Sequence, residues 1–306
     1  MKIIFMGTID FSVTILEKLN NKYPVGLIVT QPDARVGRKQ ILKENPVKTF
    51  ARENNIKVFQ PRILSKDYKQ ITDFKPDLII TAAYGQMVPN EVLDLCPAIN
   101  VHGSLLPKRR GGAPIERALI EGDKETGITI MYMAEKMDSG DIIKSKKIPI
   151  LITDTKTILY DKLAHIGADL LLEVMEDFIK GKIKSYPQDE SLVTYSYNLT
   201  KEDEYLDFNK TNAEIISHLN GLLDEPGGSI FIDDIRIKIY EVKKHDIISH
   251  EAPKTILSTN KELVIKTADG ALSILTLQQQ GKQKMKILNY LNGQRIFKKG
   301  EKIKWN

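Results

Sequence analysis

The first half of the chain alternates between short apolar runs and amphipathic stretches, and this alternation constrains the fold more than any other feature. KIIFMG (2–7) reads as a buried strand and DFSVTILEKLNN (10–21) as an amphipathic helix. The pair then recurs. VGLIVTQ, KVFQP, DLIITAAYG and AINVHG carry the strand signal, and PVKTFARENN, SKDYKQITDF, PNEVLDLC and APIERALIEG follow them as helices. A polar loop, 32–45, separates the second strand from its helix. Strands separated by helices predict an α/β protein with a Rossmann-like, doubly wound, mostly parallel sheet. GITIMYMAEKMDSGDIIKSKKIPI (127–150) reads as two strands around an acidic loop, an antiparallel edge, and the long helix 155–182 closes the domain.

The texture changes after a connecting segment. The reading divides the chain into a catalytic domain at 1–189, a linker at 190–206 and a second domain at 207–306. In the second domain one helix, NAEIISHLNGLL, precedes SIFIDD, IRIKIYEVKK, ELVIKTAD and ALSILTLQQ. Short strands at close spacing with Asp-rich turns predict a small, OB-like β-barrel. The chain carries 45 Lys and Arg against 40 Asp and Glu, and from Phe208 onward the counts are 16 and 11, so the excess lies in the last third. A basic appendage on a neutral domain points to an anionic partner such as nucleic acid, although a Lys-rich composition produces the same excess without one.

Cys96 is the only cysteine, which excludes a disulfide framework and a cysteine metal centre within one chain and suits a reducing compartment. The apolar start, 1–6, is too short for a signal peptide, and no apolar run approaches a membrane span. These features predict a cytoplasmic protein with no membrane partner and no metal; it is expected to be a monomer.

Ligands of open α/β sheets bind outside the carboxyl ends of the strands. Three stretches fall there. Gly7-Thr8 precedes a helix but matches neither a dinucleotide fingerprint nor a Walker loop. Asn100 and His102 are two apart on a strand, so both side chains face one side at its end. An amide N–H and an imidazolium are both good donors to a developing oxyanion. Asp138, in the acidic loop, reaches His102 if the sheet order brings the edge strands alongside, and would orient it. No serine sits in a nucleophile elbow and Cys96 lies upstream, on the preceding helix, so the nucleophile of an acyl transfer at this site has to come from the substrate.

NVHGSLLPKRRGGAPIERAL, with MDSGDI placed so that Asp138 follows Asn100 by 38 residues, closely resembles the folate-dependent formyltransferases. GTIDFS, TQPDARVGRK, AAYGQMVP, ETGITIMYM and LYDKL are similar to the same family in the same order. YSYNLTKEDEYLDF and GKQKMKILNYLNGQR resemble the members that act on initiator tRNA. The resemblance spans nearly the whole chain. It implies the formyltransferase fold, 10-formyltetrahydrofolate as co-substrate, and the α-amino group of methionyl initiator tRNA as acceptor. It implies that Asn100 and protonated His102 stabilise the oxyanion of a tetrahedral intermediate, with Asp138 assisting the proton transfer. It places folate on Ser104, Leu105, Leu106 and Pro107 and on Tyr84, Gly85, Met87 and Val88. It gives Arg35, Arg38, Lys39 and Lys43 of the polar loop, and Arg109 and Arg110 beside the site, to tRNA. The chain departs from the family at Ile9, at DARVG, at GLLDEPGGSIF (221–231), where a Pro-Trp-Pro segment is common, and at Phe208, where Trp is frequent. Two other readings compete. An amino-sugar N-formyltransferase would keep the trio and the folate slot but need no basic loop or barrel. A non-catalytic RNA-binding module would not need Asn100, His102 and Asp138 together.

Overall fold

β1 (Ile3–Gly7) has no exposed side chain, as a strand in the middle of a sheet requires. After it come α1 (Asp10–Lys22), β2 (Val25–Val29), the short strands β3 (Ala34–Val36) and β4 (Ile41–Lys43), α2 (Pro46–Glu53) and β5 (Lys57–Phe59). α3 (Lys69–Phe74), β6 (Leu78–Ala82), α4 (Asn90–Leu93), β7 (Ala98–His102), α5 (Pro114–Ile120), β8 (Glu125–Tyr132), β9 (Ile142–Pro149) and α6 (Lys156–Ile179) follow. The computed structural model describes residues 1–36, 40–293 and 296–304. It divides into two units: Met1–Pro114, Glu125–Pro149 and Tyr160–Tyr197 form the first, and Ile115–Lys124, Ile150–Leu159 and Asn198–Asn306 the second.

The first unit is built on a seven-stranded sheet in the order β5-β2-β1-β6-β7-β8-β9. β5, β2, β1, β6 and β7 run parallel, and β8 and β9 complete the sheet antiparallel, as the sequence predicts. The chain winds from β1 outward to β2 and β5, then returns to place β6 on the other side. That reversal opens a crevice at the carboxyl ends of β1 and β6. One face of the sheet is covered by α1 and α6, where Phe11 meets Tyr160 edge-on with ring centroids 6.0 Å apart. Gly167 of α6 lies against Val101 of β7. On the opposite face Ile4, Met6, Leu27, Val29 and Ile79 pack with Ile71 of α3 and Val92 of α4. Val101 therefore looks toward α6, and the alternation of β7 turns Asn100 and His102 the other way.

Three local expectations are corrected. The polar loop 32–45 contains the antiparallel pair β3 and β4, where the β-branched Val36 and Ile41 are partners in register. The helix expected at 65–74 splits into a 3₁₀ turn at Leu64–Lys66 and the short α3. Cys96 lies past the end of α4, in the turn before β7.

The second unit contains α7 (Asn212–Leu222), β10 (Gly228–Ile232), β11 (Ile235–His245), β12 (Ile256–Ser258), β13 (Leu263–Lys266), β14 (Ala271–Gln279), β15 (Met285–Lys286) and α8 (Ile287–Gly293). Its antiparallel sheet runs β10-β11-β14-β13-β12, with β15 added to β14. The segment 300–304 ties the two ends together: Lys304 N–H donates to Phe231 O at 2.9 Å beside β10, and Ile256 N–H of β12 donates to Glu301 O at 2.8 Å. α7 starts with a capping box of Thr211 and Glu214 and buries Ile215, Leu219 and Leu222 in the barrel core, where Phe208 is fully enclosed.

His218 of α7 is buried, and a ring nitrogen facing a carbonyl must carry the proton, so Nε2–H donates to Asp203 O at 2.7 Å. Burial lowers its pKa. Burial raises the Asp203 carboxyl, but the Arg117 guanidinium, 2.6 Å from Oδ1 and 2.8 Å from Oδ2, and the Thr200 N–H outweigh this, and its pKa is lowered. Below about pH 6.5 the unfolded chain protonates at His218 before the folded one does, so stability falls as pH falls through that range. The Asp203 contribution is present above the ordinary carboxyl pKa and is lost in stronger acid. Hydrogen exchange in α7 is therefore expected to accelerate between pH 7.5 and 5.5 after correction for intrinsic rates, and less so in His218→Gln; an equal change in both proteins would remove His218 as the cause.

Candidate active site

Asn100 is fixed from the neighbouring strand. Thr81 is its partner in the β6–β7 register, and the Thr81 hydroxyl donates to Asn100 Oδ1 at 2.8 Å. The hydroxyl takes the carbonyl end of the amide, which leaves the Nδ2 donor end for a ligand. His102 ends β7 and is 5% exposed. Its Nε2–H donates to Arg109 O at 3.0 Å, and its Nδ1 lies 3.7 Å from Asp138 Oδ2. The antiparallel return through β8 brings Asp138 to this end of the sheet. The trio read from the sequence thus meets at one strand end, within the first unit.

The backbone around it is held in uncommon conformations. Ala83, Arg109 and Asp138 have φ of 47°, 62° and 50°, in the left-handed region that residues with a Cβ seldom occupy. Each follows or faces a strand end at the crevice. Such strain persists only where surrounding bonds over-determine it. Those bonds form a closed ring: Gly111 N–H donates to Asp138 Oδ2 at 2.8 Å, and Gln188 Nε2 donates to the carbonyls of Asp138 and Gly140, each at 2.8 Å. Gln188 Oε1 in turn accepts from Arg110 Nε and Nη2 at 3.0 and 2.9 Å. Segment 194–196 completes the ring along the same loop, with Arg110 N–H donating to Thr194 O and Ser196 N–H to Arg110 O.

This arrangement corrects the expectation for Arg110. Its side chain is 3% exposed and its guanidinium is taken up by Gln188 and Glu190, so it braces the Asp138 loop rather than reaching phosphate. Arg109 is half-buried, with Nη1 near Ser196 Oγ. Arg35 and Lys43 are exposed on β3 and β4; Arg38 and Lys39 lie outside the described residues. Asp33 anchors the base of the β3–β4 pair through Gln60 and Lys48, and both hold its carboxyl below the usual range against a smaller burial effect.

The segments expected to hold folate split between wall and scaffold. Ser104 Oγ donates to Lys108 O, and Thr129 Oγ1 donates to Ser104 O while accepting from Leu106 N–H. These bonds shape the turn. Leu106 packs with Met131 and Ile142 as a small apolar cluster, and Thr129 is the β8 partner of His102. Leu105 and Pro107 are half-buried beside it. Tyr84 and Val88 belong to the sheet's core, while Gly85 and Met87 are exposed. The Tyr84 hydroxyl is buried with no hydrogen-bond partner among the described residues, and burial raises its pKa. An apolar wall beside His102 and an unsatisfied buried hydroxyl in the adjoining segment fit a flat heterocycle with polar edges. Among the described residues no three His, Cys, Asp or Glu side chains gather as a metal site.

The amide groups of this crevice escaped sequence reasoning. Gln31 Nε2 and the Thr8 hydroxyl both donate to Tyr84 O, Gln86 Nε2 donates to Gln31 Oε1, and Asn45 and Gln60 donate to Gln31 O. They are scattered over four loops with no common spacing, as are Thr81 and Gln188.

Residues 1–175 match the model of the Formyl transferase family, and residues 198–295 match that of the Formyl transferase, C-terminal domain. The methionyl-tRNA formyltransferase of Streptococcus pneumoniae serotype 19F (strain G54) is 45% identical over 298 residues, 95% of both chains. Among solved structures, the N-formyltransferase of Helicobacter canadensis, in complex with folinic acid and dTDP-3-aminofucose, superposes with a TM-score of 0.70 at 19% identity, covering 93% of this chain and 100% of that one. HypX of Aquifex aeolicus in complex with tetrahydrofolic acid superposes with a TM-score of 0.65 at 16% identity, covering all of this chain and 51% of that one. These two likenesses concern the fold. With both domain models matched in order and a relative of equal extent sharing nearly half its residues, the chain belongs to the formyl transferase family.

Proposed function

We propose that this formyltransferase moves a formyl group from 10-formyltetrahydrofolate to the α-amino group of methionyl initiator tRNA. The observation that carries the reading is the meeting of Asn100, His102 and Asp138 at one strand end. The relative from Streptococcus pneumoniae supports the acceptor.

An α-amino group of pKa about 7.7–8.0 is partly neutral near pH 7, so it attacks the formyl carbon directly. The carbonyl π bond opens and the oxygen becomes an oxyanion. Asn100 Nδ2 donates to it, since Thr81 already occupies Oδ1. In the free enzyme His102 has its Nε2–H on Arg109 O, so a ring donor reaches the oxyanion by exchanging that carbonyl or by protonation at Nδ1, beside Asp138. The ammonium proton leaves toward Asp138; the oxyanion then re-forms the C=O bond as the C–N bond to the folate nitrogen breaks, and that nitrogen takes up the proton from Asp138. Leu106, Met131 and Ile142 form the apolar wall for the pterin, with Tyr84 OH as a polar partner; Arg35, Lys43 and Arg109 face the RNA. We infer a cytoplasmic enzyme, which suits a chain with one cysteine, and we take it to act as a monomer.

The test is formyl transfer from 10-formyltetrahydrofolate to methionyl initiator tRNA by the purified chain, with Asn100→Ala alongside. Transfer by the wild type and a loss of about 10²–10³ in kcat in the variant is the expected result. Folate binding without transfer to tRNA would overturn the acceptor and leave an amino sugar as the substrate to try.

A further inference from the structure

Two tyrosines beside the site have no part in the chemistry described. Tyr195 and Tyr197 are 50% and 64% exposed, yet their rings lie parallel, 8° apart, with centroids separated by 5.8 Å. Between them Ser196 is fully buried. The segment is extended, so alternate side chains leave on opposite sides: the serine inward, both rings outward. Large apolar rings held parallel at a surface present flat faces for another planar group.

Their position relative to the trio is fixed. Thr194 O accepts from Arg110 N–H at 2.9 Å, Ser196 N–H donates to Arg110 O at 2.7 Å, and Ala113 N–H donates to Ser196 O at 3.1 Å. Arg109 O accepts from His102, and Gly111 N–H holds Asp138. The tyrosine segment is thus hydrogen-bonded to the same loop that orients both catalytic side chains. Lys108 is exposed on that loop, and Arg109 reaches Ser196 Oγ between the two tyrosines.

We propose that Tyr195 and Tyr197 form a stacking platform for the unpaired 3′-terminal base of the acceptor RNA; this rests on the tRNA reading above. The reacting amine is esterified to that same nucleotide, so a base held here sets the distance of the amine from His102. Every base has a π-face, so the platform grips the strand end without reading sequence. The donor's rings have their own apolar wall in Leu106, Met131 and Ile142. The exposed charge of Lys108 on the same loop suits a phosphodiester strand of bases.

The experiment is steady-state formylation with full-length enzyme, varying methionyl-tRNA and 10-formyltetrahydrofolate separately. Loss of one stacking ring raises KM for RNA by about tenfold, within the range for base–aromatic stacking. Tyr195→Ala and Tyr197→Ala are expected to show this rise with little change in kcat or in KM for folate. Tyr195→Phe and Tyr197→Phe keep the ring and are expected to hold the RNA KM near the wild-type value. The dependence of the RNA KM on salt should keep its slope in the alanine variants, because no phosphate contact is removed. Unchanged RNA KM in both alanine variants overturns the platform. So does a rise confined to the folate KM, which would assign the rings to the donor, or a Phe variant as damaged as its Ala counterpart. Wild-type enzyme that binds folate but does not formylate methionyl-tRNA overturns the substrate reading itself, and this inference with it.

Discussion

His102→Ala is expected to fold, bind the folate donor, and lose about 10²–10³ in kcat, as removal of one oxyanion donor would under the proposed role. The side chain is nearly enclosed, so its removal also leaves Arg109 O without a donor and loosens the loop that Arg109 begins. A single truncation mixes these two effects. His102→Gln separates them, because a Gln Nε2 can donate to Arg109 O but offers neither a second ring nitrogen toward Asp138 nor a positive charge. The expected order is a thermal midpoint restored in His102→Gln and a kcat that stays low. Recovery of kcat with Gln would show that the imidazole only fastens the loop, and the oxyanion assignment would fall to Asn100 alone. Pre-steady-state formyl transfer with saturating donor measures this directly, since it isolates the chemical step from product release.

The strand-and-helix alternation was legible because buried parallel strands are continuous apolar runs, and β1 and β6 are buried at every position. Asn100 and His102 were legible for the opposite reason: two polar side chains at the end of such a run have no packing role there. The partners that orient them were not. Gln188 acts across 50 residues on Asp138 O, and Arg110 across 80 on Glu190; no local spacing announces contacts of that range. Arg110 shows the same limit from the other side. In sequence it stands beside Lys108 and Arg109 as one basic patch, and only the pairing of its loop with 194–196 turns it inward. The closing segment of the barrel was missed because 300–304 makes isolated bridges instead of a ladder and carries one apolar residue, Ile303, into the core. The pair β3 and β4 lay hidden because its strands are three residues long, and Ala34, Arg35 and all of β4 are exposed.

Gly111→Ala is expected to be as damaging as a change to the trio, though no atom of Gly111 enters the chemistry. Its φ is 126°, outside the region that a residue with a Cβ adopts, and a Cβ built there would come within 2.5 Å of Ser196 O. Both the conformation and the contact are backbone features, so no side chain can swing away to make room. The strain alone is worth on the order of 1–3 kcal/mol. Relief requires either the 194–196 segment to move off, breaking its bonds to Arg110, or residue 111 to rotate, withdrawing the N–H that holds Asp138 Oδ2. Either route frees Asp138 from His102. Thermal unfolding is expected several degrees below wild type, on a scale of about 2–4 °C per kcal/mol for a unit of this size, with kcat down by at least about tenfold. Gly181→Ala is the matched control: φ there is 62°, no atom lies within 4 Å of the added Cβ, and the residue is in the same unit, remote in sequence from the trio. It should lower the midpoint modestly and leave kcat alone. Equal losses of kcat in the two variants would mean that general destabilisation, rather than release of Asp138, accounts for the effect; a normal kcat in Gly111→Ala would mean that the Gly111 N–H does not hold the carboxylate during turnover.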